Sequence, residues 1–92
     1  MYFPSNNWFV VRCNMVGTWQ VESQKGCFFI PCPSQYKARQ VRHYLMYWLT
    51  NSYFYRLAAL SPFVRLLIQK KITFDEFYIQ VKIIHFAVKE EF

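Results

Sequence analysis

The stretch that decides the fold runs from Trp8 to Pro31, WFVVRCNMVGTWQVESQKGCFFIP. Trp8 to Cys13 is rich in β-branched and aromatic side chains, Thr18 to Glu22 alternates polar with apolar, and Cys27 to Ile30 is a short apolar run. Each has the composition of a strand. Gly17 and Gly26, the only glycines in the chain, each sit just before the next strand. They predict three-residue hairpin loops, Met15-Val16-Gly17 and Gln24-Lys25-Gly26, with glycine in the left-handed position. Loops of that length set Cys13 opposite Trp19, Val11 opposite Val21, and Val21 opposite Phe29. One face then carries Phe9, Val11, Cys13, Trp19, Val21, Cys27 and Phe29; the other carries Trp8, Val10, Arg12, Gln20, Glu22, Phe28 and Ile30. A helix should pack on the first face. The second is mixed, so the last helix or a partner is expected to cover Trp8, Val10, Phe28 and Ile30. Pro31 is expected to end the sheet, because proline cannot donate to a ladder.

Further along, Ser34 is placed to cap a helix in which Ala38, Val41, Leu45, Trp48 and Leu49 recur at helical spacing. Thr50-Asn51-Ser52 should break it, with a helical stretch resuming through Leu60. Ser61-Pro62 looks like a fresh start, a capping residue before proline at the first helical position. Phe63, Leu66 and Leu67 follow, and Lys70 and Lys71 fall in the last turn, where cations favour the helix dipole. Thr73 and Glu76 form a capping box, stapled by Ile72 and Phe77, at the head of a final helix running towards Lys89. Phe77, Val81, Ile84 and Val88 make one stripe on it, and Ile79, Ile83 and Phe86 a second, which implies contacts on two sides. The expected fold is α+β, one domain over residues 1–92. A three-stranded antiparallel meander (8–31) is packed by a helix within a helical segment (34–60), and a C-terminal helix pair (61–92) follows.

Composition bounds the function. Of 92 residues, 54% are hydrophobic and 22% aromatic, too apolar for a disordered chain and richer in rings than one small core requires. Surplus aromatics of this kind favour an interface. The longest uncharged run, His43 to Tyr55, is short of the roughly 20 residues that span a membrane. Met1-Tyr2-Phe3-Pro4 has neither the basic nor the apolar region of a signal peptide. Three cysteines, an odd number, suit a reducing compartment and are expected to be free thiols. The expected location is cytoplasmic, without a membrane partner.

Charge is lopsided. Residues 1–71 hold nine basic side chains against Glu22 alone, a net +8, whereas residues 72–92 hold two against four acidic ones, a net −2. That polarity favours an anionic partner for the first part of the chain. On the Ser34 helix, Lys37, Arg39, Arg42 and His43 lie with Tyr36 and Tyr47, the residue types that grip phosphates and stack on bases. Arg12, Lys25, Arg56, Arg65, Lys70 and Lys71 complete the candidate binding set. Chemistry has little to stand on. Cys27 and Cys32 are spaced more loosely than a zinc pair, a nucleophilic cysteine would have only His43 or His85 as its base, and Asp75 and Glu76 serve as helix N-terminal anions. No metal, no cofactor and no enzymatic activity are expected.

The run of W-F-V-V-x-C, G-T-W-Q-V, G-C-F-F-I-P and S-x-x-x-A-x-x-V-x-x-x-L over residues 8–49 resembles small β-β-β-α modules of phage and bacterial proteins. Residues 67–84, LIQKKITFDEFYIQVKII, resemble a short helical oligomerisation motif of pattern L-x-x-x-G-x-I-T-x-x-E-F, with Lys70 and Lys71 standing where that family has glycine. In size and general character the chain is similar to phage anti-defence proteins, anti-CRISPR inhibitors among them. The resemblance implies an inhibitor, phage-encoded and acting in the host cytoplasm, that occupies a nucleic-acid or ribonucleoprotein surface of a CRISPR-Cas or similar defence complex. The alternative is a small structural subunit of a larger assembly, held by aromatic anchors. Either reading admits a protein partner, including a homodimer through the C-terminal helix.

Overall fold

The computed structural model describes residues 8–23, 28–49 and 53–89, without the side chains at 53, 54, 88 and 89. Strands β1 (Phe9–Cys13), β2 (Trp19–Ser23) and β3 (Phe29–Cys32) form one antiparallel sheet in the order β1-β2-β3. Helices α1 (Gln35–Trp48), α2 (Tyr53–Ile68) and α3 (Phe74–Lys89) follow. This is the α+β class expected from the sequence. Helix α1 packs on the sheet, α2 lies against β3 and α3, and α3 also touches α1. One core results: Phe9, Val21, Ile30 and Cys32 from the sheet, Ala38, Val41, Leu45 and Trp48 from α1, Leu60, Val64 and Leu67 from α2, and Phe77, Val81 and Ile84 from α3.

The first hairpin follows from its loop residues. Cys13 faces Trp19 and Val11 faces Val21, and Gly17 has φ of 86°, where a Cβ would be strained. Asn14 closes the loop: its Oδ1 accepts from the amides of Val16 at 3.0 Å and Thr18 at 2.9 Å.

The second hairpin departs from expectation by one residue. Val21 faces Ile30 rather than Phe29, and the Ser23 amide donates to the Phe28 carbonyl at 3.0 Å. Side chains alternate along a strand, so this slip exchanges the two faces of β3. Ile30 and Cys32 enter the core and Phe29 becomes 42% exposed. The gain is two inward apolar side chains, while Phe28 still meets the Phe9 ring edge-on at 6.1 Å. The expected loop Gln24-Lys25-Gly26, and Cys27 with it, lies outside the described residues. Pro31 does not end the sheet but pairs with Gln20. On an edge strand its nitrogen faces away from β2, so no ladder bond is lost.

The last helix does not cover the second sheet face: Ile30 has left that face, and α3 packs on α1 and α2 instead. That face carries a polar network. Arg12 Nε lies 3.4 Å from Glu22 Oε1, and Gln20 Nε2 donates to Glu22 Oε2 at 2.7 Å.

Helix α2 corrects the reading of Ser61-Pro62 as a helix start and of residue 60 as a boundary. It is continuous across both, with Pro62 inside it. An interior proline costs about 3 kcal/mol, but Arg56, Leu60, Val64 and Leu67 form one buried stripe through that turn while Pro62 faces outward. Burying a continuous stripe outweighs one lost hydrogen bond.

The Ser34 cap and the Thr73–Glu76 capping box appear as expected. Ser34 Oγ accepts from the Lys37 amide at 3.2 Å. Thr73 and Glu76 exchange bonds of 2.8 and 3.2 Å. Between α2 and α3 the Lys70 amide donates to the Leu67 carbonyl and the Lys71 amide to that of Leu66, at 3.0 and 2.9 Å. This is a Schellman closure whose left-handed residue, Lys70 at φ 61°, is not glycine. Lys70 and Lys71 thus lie just beyond the last turn. Lys70→Gly removes a Cβ from a conformation that penalises it and is expected to stabilise the protein by about 1 kcal/mol, raising Tm by several degrees. An unchanged or lower Tm would contradict this turn.

Candidate nucleic-acid interface

With Ala38, Val41, Leu45 and Trp48 turned inward, the helical repeat leaves Tyr36, Arg39, His43 and Tyr47 on the outside of α1, all four exposed. Helix α3 runs beside it in the same direction. Tyr44 meets the Tyr78 ring at 6.1 Å and the His85 ring at 5.0 Å, and Tyr47 meets His85 at 5.2 Å. Trp48 Nε1 donates to His85 Nδ1 at 2.9 Å, which fixes the imidazole at the base of this aromatic group with an unprotonated Nδ1.

Between the helices lies a cleft of about 540 Å³ lined by Tyr36, Arg39, Gln40, His43, Tyr44, Tyr78, His85 and Phe86. Among the described residues no carboxylate lines it. Lys82 Nζ and Lys37 Nζ stand 4.8 and 5.7 Å from the Tyr78 ring centroid. Burial, and then the neighbouring Tyr44 and Tyr36, push the Tyr78 phenol above its ordinary value, so it remains an O–H donor at neutral and mildly alkaline pH. Gln40 Oε1 is buried without a hydrogen-bond partner. A second recess of about 470 Å³, between β1 and α1, is lined by Val10, Val11, Arg39, Arg42, His43 and Met46. Arg39 and His43 form the ridge shared by the two.

The candidate set therefore divides. Tyr36, Arg39 and His43 line the cleft, and Lys37 and Tyr47 flank it. Arg42 is half-buried, and its Nε donates to the Phe9 carbonyl at 2.5 Å, so it ties α1 to β1 as well as lining the recess. Arg12 points from the open sheet face. Arg65 lies on α2 beside Phe28 and Phe29, and Lys70 and Lys71 lie at the α2–α3 turn. Lys25 lies outside the described residues. Arg56 is corrected outright: it is 2% exposed, with its guanidinium carbon 6.0 Å from the Trp48 ring centroid and its Nε and Nη1 without hydrogen-bond partners. It cannot touch a nucleic acid from there.

Gln40, Tyr44, Tyr78, Lys82, His85 and Phe86 were not read from the sequence as site residues. Tyr78, Lys82 and His85 recur at helical spacing, which marks a face; only the packing of α3 on α1 shows that this face borders the basic one.

Cys13 is an exposed free thiol and Cys32 a buried one, the latter pushed up to about 12 by burial. In a Cys27→Ser background, a maleimide is expected to label Cys13 within minutes and leave Cys32 intact from pH 7 to 9, because thiolate is the reactive form. Rapid native labelling of Cys32 would place it outside the core. Among the described residues no group of three or more histidines, cysteines or carboxylates could hold a metal ion, and no helix is long and apolar enough to cross a membrane. Comparison with family models, with curated proteins and with solved structures returned no match.

Proposed function

We propose that this chain is a small non-enzymatic binding protein that docks on single-stranded nucleic acid, free or exposed on a ribonucleoprotein complex, through the α1–α3 cleft. One observation carries the reading: the rings of Tyr36, Tyr44, Tyr78 and Phe86 share with Arg39 and His43 a cleft that, among the described residues, no acidic side chain lines. Rings supply stacking planes that accept any base, and the cations track the backbone phosphates. The Tyr36 and Tyr78 hydroxyls add donors for phosphate oxygen. Such a surface fits an inhibitor that occupies the nucleic-acid path of a larger complex, the phage anti-defence role considered above.

The test is fluorescence anisotropy with a labelled single-stranded oligonucleotide of about 20 residues, set against the same sequence as a duplex. Affinity for the single strand is expected to be on the order of micromolar in low salt and weaker for the duplex, which cannot present unstacked bases. No anisotropy change at roughly hundredfold higher protein concentration would overturn the reading.

A specific observation supports the alternative, a protein contact. Ile79, Ile83 and Phe86 are 54%, 52% and 55% exposed along one side of α3, a contiguous apolar stripe of the kind that marks protein interfaces. A partner there, a second copy included, would bind with little dependence on salt.

A further inference from the structure

Among the described residues β1 is an edge strand, paired only with β2. The ladder determines which of its backbone groups face outward. The Asn14 amide donates to the Thr18 carbonyl at 2.9 Å, and hydrogen-bonded pairs alternate with non-hydrogen-bonded ones along an antiparallel ladder. Arg12–Gln20 and Val10–Glu22 are thus the bonded pairs, and Phe9, Val11 and Cys13 turn their N–H and C=O away from β2. The Phe9 carbonyl agrees with this phase, since it accepts from Arg42 on the outer side. No hydrogen bond reaches the outward groups of Val11 and Cys13 among the described residues.

Beside this edge lies the β1–α1 recess, with Val10, Val11 and Met46 as its apolar part and Arg39, Arg42 and His43 as its basic part. We propose that the β1 edge at Val11–Cys13 accepts an extended acidic peptide as an added strand, with its carboxylates on Arg39 and His43. An outward row of alternating N–H and C=O matches a peptide backbone, whereas a phosphodiester offers acceptors only. Side chains of an added strand alternate between faces, so every second residue meets α1. Those are the acidic positions. Exposed edges are normally guarded; here Arg42 closes Phe9 and leaves the next two outward positions open. This surface shares only Arg39 and His43 with the α1–α3 cleft and does not rest on the nucleic-acid reading.

The probe is an acetylated peptide of about eight residues alternating Glu with Val, long enough to cover the edge. Binding is read by anisotropy and by the amide NMR shifts of Val11 and Cys13. Val11→Pro removes one outward donor and spares the β1–β2 ladder, because that amide faces away from β2. The variant is expected to melt like the parent and bind oligonucleotide normally, but to bind the peptide at least tenfold more weakly. In a second measurement on the unaltered protein, the peptide is N-methylated on alternate amides. Methylation of the set facing β1 should abolish binding, and methylation of the other set should leave it intact; this comparison decides alone if Val11→Pro does not fold. Equal binding of both methylated peptides, or unchanged Val11 and Cys13 amides on saturation, would mean that the peptide is held by charge alone and would overturn the proposal. Loss of oligonucleotide binding bears only on the other reading.

Discussion

Replacing Trp48 with alanine is expected to cost about 3–5 kcal/mol of stability, a large part of the roughly 5–15 kcal/mol that holds a domain of this size. Trp48 is fully buried at the end of α1, where it meets α3 through the 2.9 Å bond to His85 and α2 through the guanidinium of Arg56. Truncation leaves a cavity at the meeting point of three helices and strips His85 Nδ1 of its donor. Trp48→Phe keeps most of the volume and a ring beneath Arg56 but loses the N–H, so about 1–2 kcal/mol should be lost. Urea unfolding followed by circular dichroism measures both. A loss below about 1 kcal/mol for the alanine variant would show that this side chain does not join the helices.

The buried side of the molecule was largely legible in the sequence. The α1 stripe, the Thr73–Glu76 box and the first hairpin each rest on local chemistry: helical spacing, a cap and a left-handed glycine. The misreadings have a common cause in tertiary context. Ser61-Pro62 carries a strong local start signal, but the stripe of Arg56, Leu60, Val64 and Leu67 holds the helix together through it. The β3 register lies one step from the one that the glycine position suggested, and that single step moved Ile30 inward and Phe29 out. The candidate site was half legible. One wall, from Tyr36 to Tyr44, lies in a single segment, whereas the other, from Tyr78 to Phe86, comes from α3, 34 positions or more further along the chain. Arg56 was misplaced because net charge alone cannot distinguish a surface cation from a buried one.

The double substitution Arg39→Glu with His43→Glu is expected to weaken single-strand binding at least thirtyfold, about 2 kcal/mol, with the melting temperature held. Both side chains are exposed, and neither makes a hydrogen bond among the described residues. Arg39 sits early in α1, where an anion suits the helix dipole better than a cation, so the fold has no reason to suffer. Arg42 is left unaltered because its bond to the Phe9 carbonyl joins α1 to β1. Reversing the charge of Arg39 and placing a second carboxylate at position 43 replaces phosphate attraction with repulsion at the lip of the cleft. Anisotropy titration of the variant beside its thermal melt is the check. Retained affinity with normal melting would make the outer face of α1 merely solvated.

Ionic strength separates the two functional readings in a single experiment. If phosphates are held by Arg39, His43, Lys37 and Lys82, the logarithm of the association constant should fall linearly with the logarithm of salt concentration. Three or four contacts to a single strand give a slope of about −2 to −3. A slope near zero, or no oligonucleotide binding at the lowest salt, would contradict a nucleic-acid interface and leave the apolar stripe of α3 as the docking surface.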